Sequence, residues 1–173
     1  MQKEAINKIL ENSGQFKFLE KKVDKMTITA AETFLIIGID PGVNTGYAIF
    51  NQSNNKLSNV CSLPIHRVFL DVLIKKPLIK LVRIEDARKR KFFTGGREKL
   101  QGAGSIKRDC KIWEDFLTDH NIPFELVAPK DNKTKLKANT FKILTGYEYS
   151  TNEHGRDAAM LVFGLTSNKQ FKK

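Results

Sequence analysis

The strongest pattern in the chain is a series of short apolar runs separated by polar turns. Residues 34–40, FLIIGID, are almost uninterruptedly apolar and rich in branched side chains, which is typical of a strand buried on both faces. The turn DPGVNTG follows, and the run YAIF resumes a strand, so the two runs predict a hairpin. Residues 54–65 predict a third strand.

Helical spacing then alternates with two further strands. Strands are predicted over 78–87, which places Glu85 at the carboxyl end, and over 122–129. Helices are predicted over 66–76, 97–120 and 130–146, and a last one runs from a capping box of Ser150 and Glu153 to about Ser167. This order predicts an α/β fold with a mixed five-stranded sheet flanked by helices.

Residues 1–33 predict a separate N-terminal arm, helical or poorly ordered, in front of a domain over 34–173. The arm is only weakly periodic, and Met26 is a second possible start. Neither a signal peptide nor a transmembrane segment is visible. The two cysteines, Cys61 and Cys110, match no disulfide framework and no zinc motif. We therefore expect a cytoplasmic protein without a membrane partner.

The charge balance narrows the class of partner. Thirty Lys and Arg residues against 19 Asp and Glu residues give a net charge of +11, which favours a polyanion such as nucleic acid. The basic residues form two sets: Arg88, Lys89, Arg90, Lys91, Arg97 and Lys99, and then Lys130, Lys133, Lys135, Lys137 and Lys142. Both predict phosphate contacts, and the alternative is a solvated basic face.

Three carboxylates stand out by their positions. Asp40 ends the first strand, Glu85 ends a later one, and Asp157 lies one turn into the last helix, with His154 three residues before it on the same face. Carboxylates that converge repel one another, and Mg²⁺ relieves that repulsion while leaving positions open for a phosphate. A basic chain with this set is a candidate nuclease. Taken singly, Asp40 suits a turn, Glu85 a surface pair with Arg88, and Asp157 a helix first turn.

Two of these positions lie in motifs that resemble a known family. IGIDPGVNTGYAIF resembles the opening motif of RuvC-type Holliday-junction resolvases in the RNase H-like superfamily, and EHGRDAAMLVFG resembles their closing motif. Glu85, within VRIEDAR, stands where the family has its strand-end glutamate. The chain is most similar to divergent, phage-like members, which have a His at the first position of the HxxD pair where many bacterial members have Asp.

The resemblance implies an RNase H-like nuclease domain over 34–173. Asp40, Glu85 and Asp157 would bind two Mg²⁺ or Mn²⁺ ions, and His154 would be a fourth ligand or a proton-transfer group. The implied activity is resolution of four-way DNA junctions by paired nicks, in recombination, repair or phage DNA processing, which in a phage-encoded protein takes place in the host cytoplasm. Paired cutting implies a homodimer. The helix around Trp113–Leu117 is a candidate dimer surface or, alternatively, core.

One departure from the family bears on the substrate. The family glutamate is commonly followed by an apolar residue and a Phe that stacks in the opened junction. Here Asp86 follows, and Phe92 and Phe93 lie further along as a stacking wedge or as core. Lys130 resembles a family lysine that approaches the scissile phosphate. The alternatives are a nuclease for flaps, forks or RNA–DNA hybrids, an inactive nucleic-acid-binding module and, least favoured in a single domain, an actin-like ATPase.

Overall fold

A computed structural model describes residues 34–89, 97–132 and 135–165, with side chains in the helix that begins at residue 97 described from residue 104 onwards. Five strands and four α-helices lie in these ranges. The strands are β1 Leu35–Asp40, β2 Asn44–Asn51, β3 Lys56–Pro64, β4 Ile79–Glu85 and β5 Phe124–Val127. The helices are α1 Ile65–Lys75, α2 Arg97–Asp119, α3 Ala138–Thr145 and α4 Glu153–Met160. Short 3₁₀ turns cover Lys76–Leu78, Ala87–Lys89 and Pro129–Asp131.

The strands form one mixed sheet in the order β3-β2-β1-β4-β5. The hairpin partners β1 and β2 are antiparallel, as are β2 and β3. β4 lies parallel to β1 on its other side, and β5 lies parallel to β4. The predicted α/β architecture, a mixed five-stranded sheet flanked by helices, is confirmed.

Helices cover both faces of this sheet, which explains the uniformly apolar β1. Ile37 and Ile39 face a core that contains Val68 of α1 and Trp113 of α2. Ile36, between them in the alternation, faces a second core that α3 and α4 complete. Because β1 is buried on both sides, it shows no polar alternation. None of the helices within the described ranges is both long and apolar enough to span a bilayer.

The predicted start of the helix that ends at Gly146 is wrong. The predicted helix over 130–146 is confined to Ala138–Thr145, because a 3₁₀ turn and an extended segment precede it. Its predicted end is confirmed, since Gly146 caps it in the left-handed region at φ 68°.

The predicted capping box of the last helix is also wrong. The N-cap of α4 is Asn152, whose side-chain oxygen accepts a hydrogen bond from the Gly155 amide at 2.8 Å, so Ser150 lies outside the helix. The predicted end near Ser167 is wrong too, because the helix ends at Met160 and a turn follows it.

The α2 segment proposed as a dimer surface belongs to the core. The side chains of Trp113 and Leu117 are fully buried against the sheet, so neither can contact a partner. The indole ring of Trp113 packs edge-on against Phe69, with centroids 4.4 Å apart. The predicted arm over residues 1–33 lies outside the described residues, and the division at residue 33 stays a prediction.

Candidate active site at the carboxyl ends of β1 and β4

Two of the predicted carboxylates lie at neighbouring strand ends. The parallel pairing of β1 with β4 aligns Ile39 with Ile84, which puts Asp40 and Glu85 next to each other at the same edge of the sheet. Side chains alternate between faces along a strand. Asp40 therefore shares its face with Ile36, and Glu85 shares its face with Leu81, both of which lie in the core beneath α4. Both carboxylates point to the α4 side.

Glycines allow α4 to lie directly on the strand backbones at this edge. A Cβ atom on Gly46 would come 2.1 Å from the carbonyl oxygen of His154, and one on Gly38 would come 2.0 Å from that of Ala158. A Cβ on Gly155 of the helix itself would come 2.9 Å from the Cys61 carbonyl oxygen of β3. Only glycine fits at contacts this short. The helix thereby carries its first turn to the strand end that holds Asp40.

His154 is in direct contact with Asp40. Its ring Nδ1 lies 2.9 Å from Oδ2 of Asp40, and an N–H at this nitrogen donates to the carboxylate. The imidazole is well exposed, whereas the Asp40 side chain is only 18% exposed. Burial raises the pKa of Asp40 to about 6, the hydrogen bond from His154 opposes that rise, and the charges of Glu85 and Asp157 add to it. The pKa of Asp40 thus depends on the charges of both other carboxylates.

Asn132, which the sequence analysis did not single out, links Glu85 to α4. Its side-chain amide nitrogen donates to Oε2 of Glu85 at 2.6 Å and to the main-chain oxygen of Asp157 at 3.3 Å. The backbone N–H of Lys135 donates to Oδ1 of Asp157, also at 3.3 Å. An Asn within a basic, polar stretch carries no periodic signal, so the pattern alone did not distinguish it from a loop residue.

The donor types at this edge are those that a divalent cation prefers: three carboxylates and an imidazole. Within the described ranges, however, no three His, Cys, Asp or Glu side chains lie close enough together to hold one ion as they stand. The chemistry of the set fits a cation, and the mutual repulsion felt at Asp40 is the kind that a cation relieves. Binding an ion would require the carboxylates to draw closer.

The residues predicted to contact DNA lie in different parts of the structure. Lys130, Lys135 and Lys137 are exposed on the segment between β5 and α3. Lys89 is exposed too, but its Nζ donates to the carbonyl oxygen of Leu126 at 2.5 Å. Five predicted contacts lie outside the described residues: Arg90, Lys91, Phe92, Phe93 and Lys133. The backbone of Arg97 begins α2, and its side chain is likewise outside the description.

Arg88 is part of the fold rather than an available cation. Its guanidinium donates through Nε and Nη2 to the two oxygens of buried Asp86, at 2.7 and 3.1 Å, and through Nη1 to Glu114 of α2 at 2.6 Å. Arg88 is therefore paired with Asp86 and Glu114, and the predicted alternative of a surface pair with Glu85 is wrong. This cluster fastens the segment after β4 to α2.

Comparison with solved structures finds several similar chains. The chain is similar to a solved structure described as T. thermophilus RuvC in complex with Holliday junction substrate. The two are 18% identical, the match covers 74% of this chain and 89% of that one, and the TM-score is 0.49. No protein-family model matches the chain, and no curated protein sequence matches it. The fold therefore rests on the sheet topology, and the function on the residues of the site.

Proposed function

We propose that this protein is a metal-dependent endonuclease that nicks branched DNA, with the four-way junction as its favoured substrate. The observation that carries the proposal is the placement of Asp40 and Glu85 at the neighbouring carboxyl ends of β1 and β4, with the first turn of α4 packed over them. The net charge of +11 supports a polyanionic substrate. The resemblance of the outer sequence motifs to RuvC-type resolvases supports the choice of junction.

Asp40, Glu85 and Asp157 are the residues that would hold Mg²⁺ or Mn²⁺, two ions per site. When bound, such a pair of ions supplies activation of a water and stabilisation of the leaving oxygen of a phosphodiester. His154 contacts Asp40 directly, which suits a fourth ligand or a group that takes up a proton. The products would carry 5′-phosphate and 3′-hydroxyl ends.

The exposed lysines between β5 and α3 lie between Glu85 and Asp157 in the chain. Lys135 lies next to Asp157 through its backbone, and Lys130 and Lys137 flank the same segment. Lysines on a surface contact phosphates without reading the sequence, which suits recognition of DNA by shape. By sequence, Arg90, Lys91, Phe92, Phe93, Arg97 and Lys133 belong to the same proposed DNA surface. Symmetric cutting of a junction further requires two copies of the chain.

Cleavage of a substrate panel tests the proposal. Labelled four-way junction, fork, flap, linear duplex and RNA–DNA hybrid are incubated with Mg²⁺ or with EDTA, for wild type and Asp40→Asn. We expect paired nicks in the junction that disappear in EDTA and in the variant. A preference for forks, flaps or hybrids would keep the site and replace the substrate. Binding without cutting by the wild type would make this chain a binding module.

A further inference from the structure

We infer that Asn132 is a positioning residue that sets the distance between Glu85 and α4, and thereby how the carboxylates share a cation. This inference rests on the proposed function, because it assigns Asn132 a role toward the same carboxylate set. It concerns a residue whose side chain contacts the carboxylate of Glu85 and the backbone of Asp157.

The contacts of Asn132 connect two elements that are distant in sequence. One side-chain nitrogen reaches the carboxylate of Glu85, at the end of β4, and the backbone of Asp157, in α4. Both partners are acceptors, so the nitrogen of the amide must be the atom that faces them. Asn132 is itself 7% exposed and directly follows the 3₁₀ turn Pro129–Asp131 after β5, so a short connection from a parallel strand fixes its position.

The chemistry of an amide suits this place better than the alternatives. It offers two N–H groups and no net charge, so it can orient a carboxylate without neutralising it. A lysine would put a positive charge beside Glu85 and compete with a cation, whereas a leucine of similar size would leave the carboxylate oxygen without this donor. Lys135 acts in the same way on Asp157 through its backbone N–H. Two residues after β5 thus each engage one oxygen of a different carboxylate.

Hydrogen-bonded partners of metal ligands orient them, and loss of such a partner typically costs about 10- to 100-fold in metal affinity or activity. A purely structural role would instead lower the stability of the fold and leave metal affinity unchanged in the molecules that remain folded. Affinity for a metal, measured on folded protein, therefore separates the two roles.

The test measures Mn²⁺ binding to the full chain by the loss of the free-ion electron paramagnetic resonance signal. The variants are Asn132→Leu and, as a destabilised control on the other face of the sheet, Tyr47→Phe, which removes a hydroxyl that donates to Asp71 at 2.6 Å. We expect both variants to melt at lower temperature than wild type and only Asn132→Leu to bind Mn²⁺ about 10- to 100-fold more weakly. Its kcat should fall while KM for the junction stays the same.

Mn²⁺ affinity of Asn132→Leu within twofold of wild type would overturn the inference. If Asn132→Leu does not fold, Asn132→Gln, which keeps the amide on a longer arm, is expected to weaken binding at least about fivefold, and unchanged binding would overturn the inference equally. A wild type that binds Mn²⁺ but cuts no DNA would contradict the proposed function while the Asn132 comparison still decides the inference. A wild type that binds no Mn²⁺ would contradict both.

Discussion

The two faces of the sheet differ in how closely a helix approaches the strands. Beneath α1 and α2 the core is aromatic and branched, and the ring of Phe69 lies 4.4 Å from Trp113 and 4.3 Å from Phe116. Beneath α4 the contact is made by backbone, where Gly38 and Gly46 leave no room for a side chain under the helix. Both faces bury large side chains, such as Trp113 on the first and Phe50 on the second, but the second also brings helix and strand backbones into direct contact.

Because of this difference, substitutions on the two faces should affect stability and activity to different extents. Large buried side chains contribute most of the hydrophobic stabilisation, because it scales with the apolar area removed from water. The close approach of α4 brings Asp157 of the helix near Asp40 of the strand, and the charge of Asp157 is one of the causes that raise the pKa of Asp40. Substitutions on the two faces should therefore fail in different ways.

The largest difference is expected between two variants that each replace one carboxylate with an amide, one on each face of the sheet. Asp157→Asn should lower junction nicking by about 100- to 1,000-fold, the range for losing one group that stabilises a transition state. Asp71→Asn, its counterpart on the α1 face, keeps an oxygen that can accept from Tyr47 and should stay within about threefold of wild type. Single-turnover cleavage of a labelled junction measures both. Equal losses in the two variants would break the distinction between the faces.

The next largest effect is on stability and concerns the core beneath α1 and α2. Leu117→Ala should lower the free energy of unfolding by about 2–5 kcal/mol, because Leu117 is fully buried. Ile112→Ala on the same helix should cost less than about 1 kcal/mol, since Ile112 is 40% exposed. Urea denaturation measures both. If Leu117→Ala instead changed the mass in solution at unchanged stability, the segment would be an interface after all.

Two glycines test the close approach of α4. A methyl group on Gly46 would meet the His154 backbone, so Gly46→Ala should cost about 1–3 kcal/mol and displace the helix. Nicking should fall about 10-fold or more, since small misplacements are costly in catalysis. Gly104→Ala in α2 meets nothing within 4 Å and should raise stability by up to about 1 kcal/mol. Thermal denaturation and cleavage assays measure these effects. If Gly46→Ala were as stable and as active as wild type, the close packing of α4 would be contradicted.

The smallest effect is on the salt dependence of DNA binding, which should distinguish an exposed lysine from an arginine bound within the fold. Lys135→Gln should weaken DNA binding uniformly and lower the slope of log K against log salt by about 1. Arg88→Gln should leave the slope unchanged and lower stability by about 1–3 kcal/mol, because Arg88 is bound to Asp86 and Glu114. Salt titrations of binding anisotropy decide between them. A reduced slope for Arg88→Gln alone would reverse the assignment.

Apolar patterning predicted the fold because burial decides where these strands and helices form. The run at β1 is apolar throughout because both of its faces are covered, and Gly146 ends α3 because the left-handed region favours glycine. Helix starts were harder to predict. Asn152 and Ser150 both suit an N-cap, and only the packing of α4 on the strands decides between them.

The site was predictable where it follows strand ends and not where it depends on distant partners. Asp40 and Glu85 could be singled out because each ends an apolar strand, and the parallel pairing of β1 with β4 is what puts them next to each other. Asn132 could not be found, because its role depends on contacts with Glu85 and Asp157, 47 and 25 residues away. Arg88 was assigned to DNA because charge composition does not reveal that two acidic side chains already bind it.

The most direct test of the central claim is anomalous diffraction from crystals of the wild-type chain soaked in Mn²⁺. We predict an anomalous peak at the carboxyl ends of β1 and β4, within about 2.0–2.3 Å of oxygens from at least two of Asp40, Glu85 and Asp157. The same peak should vanish in crystals of Asp157→Asn. Peaks only elsewhere on the protein, or no peak at this edge in Mn²⁺-soaked crystals, would contradict the account.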